Sequence, residues 1–339
     1  MKVAVNGASG FTGRLVVAEL ARRGIDAVLV GRDPERLRVA ASGTGFEVRI
    51  ADIGAPDALS DAFTGADVVV NTAGPFARLG APVVRAAIAA GAHYVDTTGE
   101  QHYIRDVFDA FADAATAGVT VVPAMADDGG PSDFICRLAA DAAGAVDGLT
   151  VALWYRGGVF SRGTLRSLDP DLMFDGALRY EKGGWTPYAE ISRTSWRFPG
   201  ADEPVPVSKA ALPPVVTVPR HVPVGRMEGL LAGSFEQLRA GIDPAVIDAL
   251  PEGPSAEQRR QSRWTISVEA RGPGGRTARG TVEGSDGYGK TAVIAVEAAR
   301  RLVVDGAKPG VLAPSQAFEP ESFLGFLTGY GVRWRIVEA

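Results

Sequence analysis

Short β-branched segments alternate with helical segments over the first third of the chain. Six of them are bounded by Gly, Asp, Asn or Pro and are predicted to be strands: Val3–Val5, Ala27–Val30, Glu47–Ile50, Val68–Asn71, Tyr94–Asp96 and Val119–Val122. Apolar residues at helical spacing between them predict helices, among them Pro82–Ala90 and His102–Ala117. Strands that alternate with helices form a parallel sheet through right-handed crossovers. The predicted fold class of this part is therefore α/β, with a doubly wound parallel sheet.

The pattern changes near Ala126. Longer polar, aromatic and proline-rich stretches replace the strict alternation. Leu149–Tyr155 is predicted to be a strand, and Arg263–Arg271 with Arg276–Glu283 is predicted to form a hairpin. These elements predict a second, inserted α+β domain built on a mixed or antiparallel sheet.

Two domains are expected, because 339 residues exceed one ordinary domain of about 150 residues. The predicted boundaries are 1–126 for a nucleotide-binding domain, 127–312 for a substrate and dimerisation domain, and 313–339 for a C-terminal helix and strand. The helical pattern Lys290–Leu302 falls in the second of these, and Val332–Val337 alternates like an edge strand. The pattern leaves open whether the C-terminal segment rejoins the first domain.

The loop after the first predicted strand is rich in glycine and has G-x-x-G-x-x-G spacing. Glycine lets the backbone turn tightly and approach a pyrophosphate, whose charge is met by amides at the N-terminus of the following helix. A dinucleotide-binding domain of the Rossmann type is therefore predicted. The alternative is an ordinary glycine-rich turn. The predicted cofactor contacts of this loop are Gly7, Ser9, Gly10, Phe11, Thr12 and Gly13.

The residues after the second predicted strand bear on the choice of dinucleotide. Enzymes that use NAD place an acidic residue here for the ribose hydroxyls, whereas this chain reads Gly31-Arg32-Asp33. The guanidinium of Arg32 suits a 2′-phosphate, which favours NADP(H). Asp33 is either a ribose acceptor or the N-cap of a helix that begins at Pro34.

Two further loops are predicted to contact the cofactor. Asp52 and Ile53 follow the third strand and would lie along the adenine, unless Asp52 belongs to a turn and caps the next helix. The loop after the fourth strand would carry the backbone past the nicotinamide ribose, and Phe76 beyond it either walls the ring or belongs to the core. The predicted contacts of that loop are Thr72, Ala73, Gly74 and Pro75.

Together these segments resemble the saccharopine dehydrogenase-like reductases, a superfamily that includes saccharopine reductase and bacterial trans-acting enoyl reductases. The resemblance is carried by Gly7-Ala8-Ser9-Gly10-Phe11-Thr12-Gly13, Gly31-Arg32, Asn71-Thr72-Ala73-Gly74-Pro75-Phe76 and Ala92-His93-Tyr94-Val95-Asp96-Thr97-Thr98-Gly99-Glu100. It implies an NADPH-dependent reductase with a Rossmann domain and an inserted substrate domain. Members act on C=N and C=C bonds alike, so the resemblance does not identify the substrate.

The second half of the chain resembles the superfamily more thinly. The similar segments are Pro131-Ser132-Asp133, Gly163-Thr164 and Asp286-Gly287-Tyr288-Gly289-Lys290-Thr291. Ser132 or Asp133 is predicted to cap the helix that follows. The chain is shorter than some members and lacks the lipid-associated apolar helix that they carry, so a membrane-bound substrate is not expected.

Catalytic candidates lie in or beside glycine-rich loops of the second half. Hydride transfer is the chemistry of the cofactor, so the protein has to orient the acceptor, exclude water and supply a proton. The Tyr and Lys pair of classical short-chain reductases is absent from the sequence. The candidate proton donors or clamps are Asp128, Tyr155, Tyr288 and Lys290.

Arg156 and Arg162 are the candidate substrate-binding residues. If they converge, they suit a carboxylate or phosphate through paired hydrogen bonds. The alternative for all six candidates is structural: arginines in solvent, a strand tyrosine, and turn residues before a helix.

Charge and cysteine content limit the kinds of partner and the cellular location that are expected for this protein. A net charge of −5 without a run of Lys or Arg disfavours nucleic acid, and three dispersed histidines with a single cysteine give no metal-binding motif. The lone Cys136 and the lack of a signal peptide or an apolar spanning segment predict a cytoplasmic protein. A homodimer is expected only from the frequency of dimers among soluble proteins.

The leading functional hypothesis is an NADPH-dependent reductase of a C=N or activated C=C bond in a small or carrier-bound metabolite. The alternative is a protein that binds NADP and regulates a partner without catalysis, because no catalytic motif is conspicuous. The sequence does not decide between them.

Overall fold

The alternating segments of the N-terminal third form a parallel sheet. A computed structural model describes residues 1–167, 176–233 and 244–338. The first six strands lie close to their predicted positions. Five of them are largely buried, as expected for a parallel sheet covered on both faces, whereas the edge strand Glu47–Ile50 is half-buried to exposed. They are Lys2–Asn6 (β1), Asp26–Gly31 (β2), Glu47–Ile50 (β3), Val68–Asn71 (β4), His93–Asp96 (β5) and Thr120–Val122 (β6).

Five helices connect these strands: Phe11–Arg22 (α1), Pro34–Ala41 (α2), Pro56–Phe63 (α3), Phe76–Ala89 (α4) and Gln101–Ala110 (α5). Two of them differ from the prediction. Helix α4 begins at Phe76, six residues before Pro82, so Pro82 lies inside the helix and not at its start. Proline is compatible with helical dihedrals, although it has no N–H to donate to the preceding turn. Helix α5 ends at Ala110, and a separate 3₁₀ turn at Ala112–Ala114 precedes β6.

The second half builds a mixed sheet, as predicted. Strands β7 and β12 pair in parallel, and the pairs on either side of them are antiparallel. The predicted hairpin is present as β13 and β14. The strands of this part are Val146–Arg156 (β7), Leu178–Glu181 (β8), Gly184–Pro187 (β9), Ser195–Trp196 (β10), Val205–Lys209 (β11), Val224–Ala232 (β12), Arg263–Arg271 (β13) and Thr277–Ser285 (β14).

Helix α6 covers one face of this sheet. The helices of this part are Gly130–Ala143 (α6), Arg162–Ser167 (α7), Pro214–Thr217 (α8), Pro244–Ala249 (α9) and Ala256–Gln261 (α10). A Cβ on Gly280 of β14 would lie 2.7 Å from Ile135 of α6, so the two elements pack closely. The N-cap of α6 is Gly129, not Ser132 or Asp133. Asp133 instead accepts a hydrogen bond from Thr217 at 2.6 Å and lies 3.1 Å from His221 Nε2.

The C-terminal elements divide between the two sheets. They are Gly287–Val304 (α11), Gly310–Val311 (β15), Pro314–Ala317 (α12), Pro320–Thr328 (α13) and Arg333–Glu338 (β16). Strand β15 extends the first sheet, whose order is β15-β6-β5-β4-β1-β2-β3. Strand β16 extends the second, whose main order is β10-β11-β12-β7-β13-β14-β16, with β8 and β9 beside β12. The predicted fold class is confirmed.

The chain therefore divides into two compact units that are each assembled from separate segments. The first unit comprises Met1–Thr98, Arg105–Ala126 and Tyr288–Phe318, and the second comprises Gly99–Ile104, the described residues of Asp127–Gly287, and Glu319 onward. The sequence pattern had put all of 127–312 in one domain. Helical periodicity reveals that α11 has a buried face but does not reveal which sheet covers it.

Charged side chains join α11 to α1 within the first unit. The buried Glu297 carboxylate of α11 accepts a hydrogen bond from Arg23 at 2.8 Å, and Arg300 and Arg301 also bind it. Burial acts to raise the pKa of Glu297, but the hydrogen bonds from Arg300 and Arg301 outweigh it and keep the pKa below its ordinary value. A search of the described residues finds no helix both long and apolar enough to cross a bilayer.

Candidate active site

The glycine-rich loop between β1 and α1 has a backbone that only glycine allows. Gly7 has a φ of +78°, and its N–H and that of Ala8 donate to Val30 O at 3.0 and 3.4 Å. A Cβ on Gly13 would lie 2.2 Å from Gly7 O. Helix α1 can therefore approach the loop this closely only because residue 13 has no side chain.

The N-terminus of α1 is open to an anion. Its cap is Gly10, which offers no side chain to the first amides of the helix, and the first turn carries no acidic residue. The amide of Arg14 is the first that bonds back to the cap, at 2.9 Å. The close cradle and the positive end of the helix fit the pyrophosphate of a dinucleotide. Contacts of that group with Gly7, Ser9, Gly10, Phe11, Thr12 and Gly13 stay a prediction.

The end of β2 favours a 2′-phosphate over bare ribose hydroxyls. Asp33 is the N-cap of α2, where its Oδ1 accepts the Arg36 N–H at 3.1 Å. Its carboxylate is therefore engaged by the helix. Arg32 is exposed, and among the described residues it forms no hydrogen bond or ion pair. Of the two roles considered for Asp33, the structure shows the capping role.

The loop after β4 lies against the glycine-rich loop. The Thr72 hydroxyl donates to Asn6 O at 3.0 Å, and a Cβ on Gly7 would lie 3.0 Å from the Ala73 side chain. Thr72 and Ala73 therefore hold the start of this loop against the glycine-rich loop, and the contacts of Thr72, Ala73, Gly74 and Pro75 with the cofactor stay a prediction. Phe76 is 6% exposed, which makes it a core residue.

The loop after β3 is held by a local turn. Asp52 Oδ1 accepts the Gly54 N–H at 2.7 Å, and α3 begins later, after Ala55. Asp52 thus closes a turn and does not cap α3. Its neighbour Ile53 is half-buried.

A buried polar chain beneath these loops was not predicted. Asn71 Oδ1 accepts from Asn6 and from the Ala73 amide, and Asn71 Nδ2 donates to the Tyr94 hydroxyl at 3.0 Å. That hydroxyl donates to Asp96, whose other oxygen accepts the amides of Thr98 and Ala124. The chain therefore ties the ends of β1, β4, β5 and β6 together. Its members are separated by up to 118 positions between residues 6 and 124, so spacing gives no signal for it.

Tyr288 lies beside the glycine-rich loop. Its ring meets Phe11 edge to face, with the ring centres 5.1 Å apart and an angle of 83° between the planes. Lys290 follows in the first turn of α11 and is half-buried. Both candidates belong to the first unit, although the sequence pattern had put them in the second domain.

Asp128 belongs to a pair of adjacent carboxyl groups in the second unit. Burial, and then the like charge of Asp127, raise the pKa of Asp128 to about 8. Gly99 leaves room for it, since a Cβ there would lie 2.9 Å from Asp128 Oδ2. Asp127 accepts a hydrogen bond from the Tyr155 hydroxyl at 3.4 Å. The cluster therefore contains a carboxyl group whose pKa is raised by its surroundings.

Comparison with known proteins agrees with this geometry. Residues 3–122 match the family model of the saccharopine dehydrogenase NADP binding domain. The matched residues lie in the first unit, apart from Gly99–Ile104, and are similar to that NADP-binding domain over the whole predicted nucleotide-binding region. The predicted resemblance is thus confirmed, and NADP(H) is the cofactor.

The relatives extend the similarity to most of the chain. A Mycobacterium tuberculosis protein provisionally named a trans-acting enoyl reductase is 29% identical, over 93% of this chain and 92% of its own length. The trans-acting enoyl reductase of Mycobacterium bovis is 32% identical over 59% of this chain and 46% of its own length. The chain is an NAD(P)-dependent oxidoreductase that is similar to these enoyl reductases.

A solved structure shares the fold. Apo saccharopine dehydrogenase (L-Glu forming) from Saccharomyces cerevisiae matches all of this chain and 99% of its own, with a TM-score of 0.64 and 16% sequence identity. The saccharopine dehydrogenase-like fold therefore includes the second unit as well as the NADP-binding domain.

Arg156 and Arg162 have separate partners in the second unit. Arg156 stacks on Trp154, with 4.1 Å to the ring centre, and donates to Thr265. Arg162 donates to Asp248 O at 3.2 Å and lies 3.8 Å from the Glu252 carboxylate. No contact in the described part of the chain brings the two guanidinium groups together, so the condition for a shared anion site is not met.

The NADP-binding domain also contains two arginines that the sequence reasoning missed. Arg14 Nη1 and Arg36 Nη2 both donate to Ser9 O, at 2.7 and 3.2 Å. Arg14 directly follows the glycine motif, and Arg36 lies four residues after Arg32, which is one helical turn. Their positions next to the glycine motif and one turn after Arg32 could have indicated that these arginines lie near the loop.

Proposed function

We propose that this chain reduces an activated C=C bond of a carrier-bound or small acyl compound with NADPH. The observation that carries the proposal is the pair of adjacent carboxyl groups, in which Asp128 lies against Gly99 and Asp127 accepts from Tyr155, an arrangement that raises the pKa of Asp128. Reduction of a C=C bond conjugated to a carbonyl needs a proton at the carbon next to the carbonyl, and a neutral carboxylic acid can donate it. The names of the mycobacterial relatives favour an enoyl substrate over an imine.

Residues of the first unit would hold the cofactor. The glycine-rich loop and the N-terminus of α1 would hold the pyrophosphate, Arg32 the 2′-phosphate, Asp52 and Ile53 the adenine, and the loop after β4 the nicotinamide ribose. When bound, NADPH would supply the hydride for the β carbon. The edge-to-face contact of Phe11 with Tyr288 positions the tyrosine ring beside the cofactor loop.

Asp128 then completes the reduction. The C=C electron pair moves toward the α carbon, which takes the Asp128 proton, so that the acyl compound gains one hydride and one proton. The resulting Asp128 carboxylate recovers its proton from solvent because its pKa is raised. Asp127, held by Tyr155, maintains the like charge that keeps Asp128 protonated.

The proposal is tested by NADPH consumption with crotonyl-pantetheine, a mimic of a carrier-bound enoyl group, and with a cyclic imine in parallel. We expect turnover of the thioester, with deuterium from labelled NADPH at the β carbon and solvent deuterium at the α carbon. Asp128→Asn should lower kcat/KM by about 10²- to 10⁴-fold and leave NADPH affinity unchanged. Asp141→Asn, at an exposed carboxylate paired with Arg137, is the matched control.

Other outcomes have defined meanings. Turnover of the imine alone would replace the C=C assignment with C=N reduction. NADPH binding without turnover of either compound would favour the alternative of a non-catalytic NADP sensor. Full activity of Asp128→Asn would remove Asp128 from the reaction.

A further inference from the structure

One face of the second sheet is rich in arginine. Strands β7, β13, β14 and β16 pair antiparallel in an unbroken register, so residues opposite one another lie on the same face. Trp154, Thr265 and Glu283 are opposite one another in turn, and Arg333 follows them on β16. Helix α6 packs on the other face, against Gly280. Six arginines lie on the face of Trp154 and define the arginine face: Arg156, Arg263, Arg271, Arg279, Arg333 and Arg335.

The arginine face has a positive charge, although the chain as a whole is acidic. Within these four strands only two acidic side chains share the face, Glu269 and Glu283, so four positive charges are in excess. The net charge of the chain, in contrast, is −5. Glu269 is also shared, since it accepts hydrogen bonds from Arg193, Arg271 and Arg279. A cluster of positive charge on an acidic protein indicates a partner of complementary charge.

The part of the arginine face nearest the β16 edge is exposed. Trp196 covers the middle of the face, where its indole N–H donates to β13 at 2.9 Å. Farther toward the edge, the Arg271 and Arg279 side chains are 58% and 63% exposed. Arg333 and Arg335 are exposed as well, and within the described part of the chain their side chains form no hydrogen bond or ion pair. These guanidinium groups can therefore pair with carboxylates of a partner.

The distribution of charge indicates the kind of partner. A second copy related by a twofold axis would bring the same arginines together, and these repel each other. Nucleic acid and anionic membranes extend beyond one face, so they would also meet the remaining surface, which carries the excess of negative charge. A small acidic protein domain contacts the arginine face alone. The arginine face therefore suits a compact partner rich in Asp and Glu.

The arginine face lies beside the proposed proton donor. Arg156 and Tyr155 are consecutive at the end of β7, so their side chains point to opposite faces of the same strand. The Tyr155 hydroxyl binds Asp127, which adjoins Asp128. Arg333 lies three strands away in register, which is about 14 Å at ordinary strand spacing. A flexible thioester arm on a docked partner can span that distance.

We propose that the arginine face docks a small acidic carrier domain, which presents its acyl thioester to the Asp127 and Asp128 pair. The exposed arginines speed association with this partner and set its orientation. This inference rests on the proposed function, in which the acyl compound is carrier-bound. The reaction itself does not need the face, because a free pantetheine thioester bypasses it. The inference and the proposed function can therefore fail separately.

The test compares crotonyl-pantetheine with the same crotonyl group on an acidic acyl carrier protein. We expect kcat/KM to be higher for the carrier-bound group and to fall as NaCl is raised, whereas kcat/KM for crotonyl-pantetheine stays constant. Arg333→Gln with Arg335→Gln should lower kcat/KM about tenfold for the carrier-bound group, mainly through KM, and less than about twofold for crotonyl-pantetheine. Arg22→Gln with Arg38→Gln, at two exposed arginines of the first unit, removes the same charge and should leave both values unchanged.

Carrier binding can also be measured without turnover. Fluorescence anisotropy of a labelled, acyl-free carrier should show tighter binding to the wild type than to the Arg333 and Arg335 double variant, at equal circular dichroism. The proposal is overturned if the carrier binds both proteins equally or if the carrier-bound group is reduced no faster than crotonyl-pantetheine.

Three further results distinguish the alternatives. A wild-type dimer that the double variant breaks would assign the arginine face to a second copy and contradict the proposal. Binding of duplex DNA or phosphatidylserine vesicles through the same arginines would contradict it too. Absence of turnover of both thioesters, with carrier binding through these arginines intact, would contradict the proposed function alone.

Discussion

Asp128 is a carboxyl group that the fold keeps neutral. Its pKa is raised from an ordinary 3.8 to about 8 by burial and by Asp127. Between these two pH values the folded state retains a proton that the unfolded state has lost. The free energy of unfolding therefore falls as pH rises through this range, which is the cost of a half-buried acid beside a second one.

Asp128→Asn should remove this dependence, because an amide is a neutral isostere that cannot ionise. The free energy of unfolding is expected to exceed that of the wild type by about 1 kcal/mol or more at pH 8, with a smaller difference at pH 5. Urea denaturation at both pH values measures it. Asp106→Asn, at a carboxylate that is 65% exposed, should show no such trend. An unchanged pH dependence in Asp128→Asn would mean that the pKa of Asp128 is not raised.

Individual site residues could be predicted from the sequence where the pattern that marks them lies within a few positions of the chain. The glycine-rich loop could be predicted because the requirement for glycine is local. At Gly13, for example, a Cβ would lie 2.2 Å from Gly7 O. The buried chain from Asn6 to Asp96 could not, because its partners come from different strands. Asp127 was missed for the same reason, since its importance arises from Asp128 and Tyr155.

At the scale of elements, the approach of α1 to β1 is set by one missing side chain. Gly13→Ala places a methyl group against Gly7 O, so the helix must move away from the loop. We expect a loss of about 1–3 kcal/mol in the free energy of unfolding and a large loss of NADPH affinity. Calorimetry and NADPH titration measure the two effects.

A matched control lies in another helix. Gly325 of α13 is exposed and has open space at its Cβ position. Gly325→Ala should stabilise the protein by about 0.5–1 kcal/mol and leave NADPH binding unchanged. Equal behaviour of the two variants would show that the contact at Gly13 does not set the position of α1.

Strands and helices could be predicted where the apolar residues and turn residues that define them lie within the element or directly beside it. The strands of the first sheet and the β13 and β14 hairpin each carry their own apolar run and flanking turn residues. The predicted start of α4 at Pro82 was wrong. Proline occurs at the first position of helices more often than in their interiors, but Pro82 lies in the interior of α4. The unit to which α11 belongs depends on contacts with distant residues such as Arg23, and no local sequence pattern reveals these contacts.

At the scale of the molecule, the cofactor site gathers segments that are far apart in sequence. NADPH should therefore slow amide hydrogen exchange in peptides covering 7–14, 31–37, 72–80 and 288–294, which all belong to the first unit. At about 100 times its Kd, NADPH should also add roughly 2.7 kcal/mol to the free energy of unfolding. Mass spectrometry of exchanged peptides tests the pattern, with 146–156 of the second sheet as reference. Protection confined to 7–14 would show that Tyr288 and its helix take no part in binding.

The return of Tyr288–Phe318 to the first unit constrains how the protein emerges from the ribosome. When residue 126 has been synthesised, the N-terminal sheet still lacks its edge strand β15 and the helix whose Glu297 binds Arg23. More than 160 further residues must be translated before these pieces arrive. The nascent N-terminal segment therefore waits in an incomplete state through most of translation, with apolar surface that chaperones can recognise.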